Sequence, residues 1–96
     1  MIVRNIISTR SNRAVANQFI IKTDKATYFQ SYVSLIAKID RTSGQVTLSS
    51  RWDYSNTTRK YLYKFLYSYG YEGMNTKKVQ KYIEEGTFKY VDLITD

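Results

Sequence analysis

The hydrophobic pattern of the chain changes period at Trp52, and nothing else in the sequence constrains the fold as strongly. Before that residue apolar and polar side chains alternate in short runs. After it, apolar residues recur at helical spacing. Alternation places every second side chain on one face of a strand, whereas helical spacing lines one side of a helix. A run of strands followed by segregated helices predicts an α+β fold, an antiparallel sheet of about four to five strands with two helices packed on one face.

The strand half reads as follows. Met1–Ser8 (MIVRNIIS) is rich in β-branched residues and predicts a strand or an ordered arm, followed by a basic loop over Thr9–Arg13. Ala16–Thr23 reads as a strand with Phe19 and Ile21 on one face, and Thr23–Lys25 as a turn. Thr27–Tyr32 (TYFQSY) alternates aromatic and polar residues. Val33–Asp40 places Val33, Leu35, Ala37 and Ile39 opposite Ser34 and Lys38. Arg41–Gly44 is a hairpin-type connection in which Gly44 supplies a positive φ, and Gln45–Ser50 alternates Val46 and Leu48 with polar neighbours.

In the helical half, Leu62, Phe65, Leu66 and Tyr69 follow a cap at Ser55 or Asn56, and Gly70 stops the helix at C′. A second helix is predicted over about Thr76–Glu85, with Asn75 as cap, Val79, Tyr82 and Ile83 inward, and Gly86 as stop. Its lysines precede its glutamates, against the helix dipole, so it depends on tertiary packing. Thr87–Leu93 reads as a closing strand in which Phe88, Tyr90 and Leu93 are candidates for burial. Trp52, the lone tryptophan, reads as a core anchor at the junction, with an exposed interface residue as the alternative. No linker interrupts residues 1–96, and the length suits a single domain.

The chain contains no cysteine, histidine or proline. Disulfide staples, Cys/His zinc sites and histidine-based catalysis are therefore excluded. The absence of a long apolar run or a signal-peptide core predicts a cytoplasmic protein outside the membrane. Asp24, Asp40 and Asp53 fall near expected turns, and Asp53 beside a helix start suits capping better than chemistry. Glu84 and Glu85 fall at a helix end, and the four glycines form no phosphate loop or dinucleotide fingerprint. These features predict a non-enzyme that carries no cofactor and no metal.

Binding is the remaining class. The formal charge is +7, with eleven Lys/Arg against three Asp in residues 1–64 and four Lys against five acids in residues 65–96. A basic surface attracts polyanions, and it also simply keeps a small protein soluble. Arg59, Lys60, Tyr63, Lys64 and Tyr67 on the first helix, with Arg10, Arg13 and Arg51, form the candidate site; Arg4 and Lys22 extend it if the sheet brings them near. Lysines there would neutralise phosphates and tyrosines would stack on bases. In the alternative reading Tyr63 and Tyr67 widen the core stripe while the lysines reach past them to water. Tyr28–Tyr32 on a strand has the character of an aromatic sheet surface, although no RNP1 pattern is present.

The segments AVANQFII, YFQSYVSLIAKID and WDYSNTTRKYLYKFL, spanning Ala14–Leu66, resemble a family of small uncharacterised proteins of bacteriophages and mobile elements. The resemblance implies a phage setting, in which small proteins often antagonise host machinery, anti-CRISPR inhibitors among them. The leading expectation is thus a non-enzymatic inhibitor or modulator that binds a host protein or protein–nucleic-acid complex. Direct DNA or RNA binding in phage replication or transcription control is the second. A tyrosine-rich oligomerisation module, such as a homodimer, is the third.

Overall fold

The structure, a computed structural model, describes residues 1–8 and 10–91. A six-stranded sheet is built in chain order from β1 (Ile2–Ile7), β2 (Ala14–Lys22), β3 (Ala26–Ser31), β4 (Ser34–Asp40), β5 (Val46–Leu48) and β6 (Phe88–Tyr90). The first five strands form an antiparallel meander, and β6 returns parallel to β5 after two helices, α1 (Asn56–Tyr67) and α2 (Thr76–Glu84). The architecture is α+β as the pattern predicts, with one strand more than expected.

Strand register defines the core face. Ile20, Phe29, Ala37 and Leu48 lie opposite one another across four strands. Thr27, Ile39, Val46 and Phe88 make the neighbouring row, and all eight side chains are buried. The helices cover this face with Leu62, Phe65, Leu66 and Val79. Phe65 stacks on Phe29 with ring centroids 5.9 Å apart. Tyr71, Tyr82 and Phe88 meet edge-on at 5.1–6.4 Å, which seats α2 over β6. Burying each such large apolar side chain contributes about 1.5–3 kcal/mol. Trp52 is buried and belongs to the same core, as its place at the junction suggests.

Both helix starts follow the local chemistry. The Ser55 hydroxyl accepts from the Thr58 N–H at 3.1 Å, and the Asn75 side chain accepts from the Lys78 N–H at 2.9 Å. Asp53 does not cap α1; its backbone carbonyl accepts from the Arg59 guanidinium at 2.9 Å. Gly86 follows the α2 cap with a φ of 82°, a left-handed turn that glycine adopts freely. Gly70 sits one residue beyond the expected C′ position, because α1 ends at Tyr67 with Ser68 as its cap.

Several face assignments differ from the sequence pattern. Phe19 and Ile21 do share a face, but it is the outer one; Gln18 and Ile20 turn inward. In β4 a bulge leaves Ile36 without a partner between the Phe29–Ala37 and Gln30–Leu35 pairs. The extra residue flips the parity, so Ile36 enters the core while Leu35, itself buried, pairs with Gln30 on the face opposite Phe29 and Ala37. Val33 lies in the tight turn before β4 and is exposed. Tyr69 lies past the end of α1 and Tyr90 ends β6; both are exposed although the pattern suggested burial. Leu93 lies outside the described residues.

Candidate functional site

The meander decides where the loops fall. Successive connections alternate between the two ends of the sheet, so the β1–β2 connection (residues 8 and 10–13), the β3–β4 turn (32–33) and the segment leaving β5 (49–55) share one end. The Tyr32 N–H donates to the Asn17 carbonyl at 2.7 Å, which fastens the β3–β4 turn to β2 just past that loop. Helix α1 begins at the same end.

This end gathers charge. Arg10, Arg13 and Arg51 come from the loops, and Arg59 and Lys60 from the first turns of α1; the one carboxylate in those segments is Asp53. No acidic side chain occupies the first turn of α1, so the partial positive charge of its N-terminus adds to the field. The Arg59 guanidinium is held in place by Asp53 and by the Asn56 side chain. The Lys60 ammonium lies 5.3 Å from the centroid of the Tyr61 ring.

The remaining helix candidates separate. Lys64 turns toward the sheet edge and donates to the Ile7 carbonyl at 2.6 Å. Tyr63 packs against the core and shares a hydrogen bond with Thr76 at 3.1 Å. Tyr67 is exposed at the C-terminal end of α1, about 10 Å along the helix from Lys60. Thus Lys60, Tyr63, Lys64 and Tyr67 do not form one patch; the core-widening reading holds for Tyr63 and fails for Tyr67.

Two grooves flank α1. One, of about 410 Å³, lies between β1 and the helix; Arg4, Lys22 and Lys64 line it together with Phe65 and Tyr69. The sheet therefore does bring Arg4 and Lys22 to the helix. The other, of about 520 Å³, opens at the basic end between the β3–β4 turn and the start of α1. Tyr32, Val33, Arg51 and Tyr54 line it alongside Ser34 and Thr57, and beneath them the buried Ser31 and Thr58 hydroxyls pair at 3.1 Å.

The sequence pattern put Tyr32 at the end of an aromatic strand, whereas it lies in the turn beyond β3, and Tyr54 was not singled out at all. Tyr32 is left-handed, with a φ of 56°, and half-exposed at the turn; an L residue there costs about 1–2 kcal/mol. The missed signal was available in part. A two-residue turn between Ser31 and Ser34 would have put Tyr32 at its tip, and Tyr54 directly precedes the helix cap.

Among the described residues no group of acidic side chains is placed to hold a metal ion, and no helix is long and apolar enough to cross a membrane. Asp40, the one carboxylate with a displaced pKa among the described residues, lies at the opposite end. Backbone N–H groups of Ser43 and Thr42 hydrogen-bond to it and lower its pKa.

The fold and this end define a small α+β domain with a basic, aromatic-rimmed surface. By sequence the chain belongs to a family of unknown function, DUF8033, whose pattern matches residues 1–84. The matched region contains the meander and α1 and runs to the end of α2, leaving β6 outside it. No curated protein and no solved structure matches the chain.

Proposed function

We propose that this protein is a non-catalytic binder of nucleic acid that modulates a host nucleic-acid system, in the manner of small phage-encoded antagonists. The observation that carries the reading is that the segments bearing Arg10, Arg13, Arg51, Arg59 and Lys60 share one end of the sheet, while Arg4, Lys22 and Lys64 line the groove beside α1. A cationic tract of this kind neutralises successive phosphates and releases their counterions. The nucleic acid is either free or already held in an effector complex, as an anti-CRISPR mode of action requires. The absence of histidine and cysteine supports binding over catalysis.

Fluorescence anisotropy with labelled DNA and RNA, titrated against salt, tests this reading. Binding is expected to weaken steeply, by about 0.7–0.9 log units per log unit of salt for each phosphate contacted. The Arg10→Glu/Arg13→Glu variant is expected to bind far less. Salt-independent binding, or none at low salt, removes the proposal.

A second reading has its own observation. Edge strand β1 leaves Ile2, Val3 and Ile7 exposed, which favours self-association by strand pairing. A concentration-independent monomer mass in light scattering would dispose of it.

A further inference from the structure

We infer that the groove between the β3–β4 turn and the start of α1 takes an unpaired nucleobase, so that the strand bound at the basic end is single. The inference rests on the reading that this end contacts phosphates, and it names the form of nucleic acid.

The groove has the chemistry of a base pocket. At about 520 Å³ it falls within the range of small-molecule sites. Two tyrosines line it, Tyr32 from the turn and Tyr54 from the segment before α1, and both are substantially exposed. Aromatic rings on such a recess offer stacking planes to any base. Val33 supplies exposed apolar surface, with the buried Ile36 behind it. Ser34 and Thr57 also line the groove, and the hydroxyl of neither makes a hydrogen bond to another described residue. Hydroxyls both donate and accept, so they suit the polar edge of a base without fixing which base. Arg51, on the same lining, brings positive charge for the adjoining phosphate or a guanidinium plane for the ring.

Two further points separate a single strand from a duplex. In a duplex the bases are stacked and paired inside, and a recess between tyrosines has nothing to receive; only an unpaired base enters it. Moreover, Tyr32 occupies its turn at a cost in backbone strain that glycine would not incur. Strained residues of this kind concentrate where a side chain is used.

The test compares one labelled oligonucleotide as single strand, as duplex and as an abasic single strand of equal length, in DNA and in RNA. The variants are Tyr54→Ala, Tyr32→Gly and Arg10→Glu/Arg13→Glu. Tyr32→Gly is expected to melt no lower than the parent protein, so lost binding in it is not lost folding. The intact protein is expected to prefer the base-bearing single strand over duplex and abasic strand. Each tyrosine variant is expected to weaken single-strand binding about tenfold while leaving duplex binding unchanged. Equal affinity for all three forms, with the tyrosine variants unaltered and the arginine reversal abolishing binding, would overturn the base pocket and leave the phosphate-binding end intact. No binding of any form by the intact protein would overturn both.

Discussion

The Lys64 ammonium sits 2.6 Å from the carbonyl oxygen of Ile7 and so links α1 to the edge strand of the sheet. A residue that sequence alone suggests as a phosphate contact thereby acquires a structural duty. Its stem also lines the groove between β1 and the helix. Replacing it with methionine keeps most of the packing and removes the charge-assisted bond. Lys64→Met is expected to destabilise by about 0.5–1 kcal/mol, discounted because the bond is solvent-accessible. Urea unfolding measures the loss, and the salt slope of nucleic-acid binding is expected to move less than in Arg10→Glu/Arg13→Glu.

The start of α1 hangs on three hydroxyls. Ser55 caps the Thr58 N–H and donates to the Thr58 hydroxyl at 3.0 Å, while Thr58 pairs with Ser31 from β3. Ser55→Ala is expected to cost about 1 kcal/mol through the lost cap. Thr58→Val leaves the buried Ser31 hydroxyl without that partner and is expected to cost about 1–3 kcal/mol. The Ser31→Ala/Thr58→Val double variant is expected to recover part of that, a coupling that a double-mutant cycle reads directly.

Gln18 is fully buried, and neither its amide nitrogen nor its amide oxygen meets a hydrogen-bond partner among the described residues. An unpaired amide in the interior carries its desolvation penalty uncompensated. Gln18→Met, close in volume, is expected to be neutral or to stabilise by about 1–2 kcal/mol. Thermal melting decides, since about 1 kcal/mol moves the midpoint of a domain this size by several degrees.

Asp40 gives the molecule an acid-sensitive turn. Its carboxylate accepts from the Thr42 and Ser43 N–H groups at 2.9 and 2.8 Å, which holds its folded pKa below the ordinary value of 3.8. A depressed folded pKa stabilises the protein above the unfolded pKa, and the contribution is lost as pH falls through the folded value. Asp40→Asn is therefore expected to lower stability near neutral pH and to flatten its fall below about pH 4, measured by unfolding across pH.

Much of the fold was legible before the structure, for reasons that particular residues make plain. The change of period at Trp52, the caps at Ser55 and Asn75 and the stop at Gly86 are local signals, readable within a few positions. The bulge at Ile36 was not, because its effect on which face Leu35 occupies depends on pairing with β3. The inward turn of Gln18 beside Ile20 likewise reverses what hydrophobicity alone favours. For the site, the cations were visible as letters, but their gathering follows from which connections share an end of the meander. Tyr32 was visible as an aromatic but was placed on a strand, because no residue type announces the left-handed backbone angle that puts it in the turn.

The parallel β5–β6 pair has a consequence for the order in which the chain assembles. Val46 must wait for Phe88, so this ladder closes only after both helices have been synthesised. Emerging from the ribosome, the meander and α1 can associate early, because their contacts are nearer in sequence. Strand β6 then fastens α2 late. Until β6 pairs, β5 lacks its neighbour on that side, and a chain stopped short of Phe88 would bare Val46 and Leu48 to chaperones and proteases.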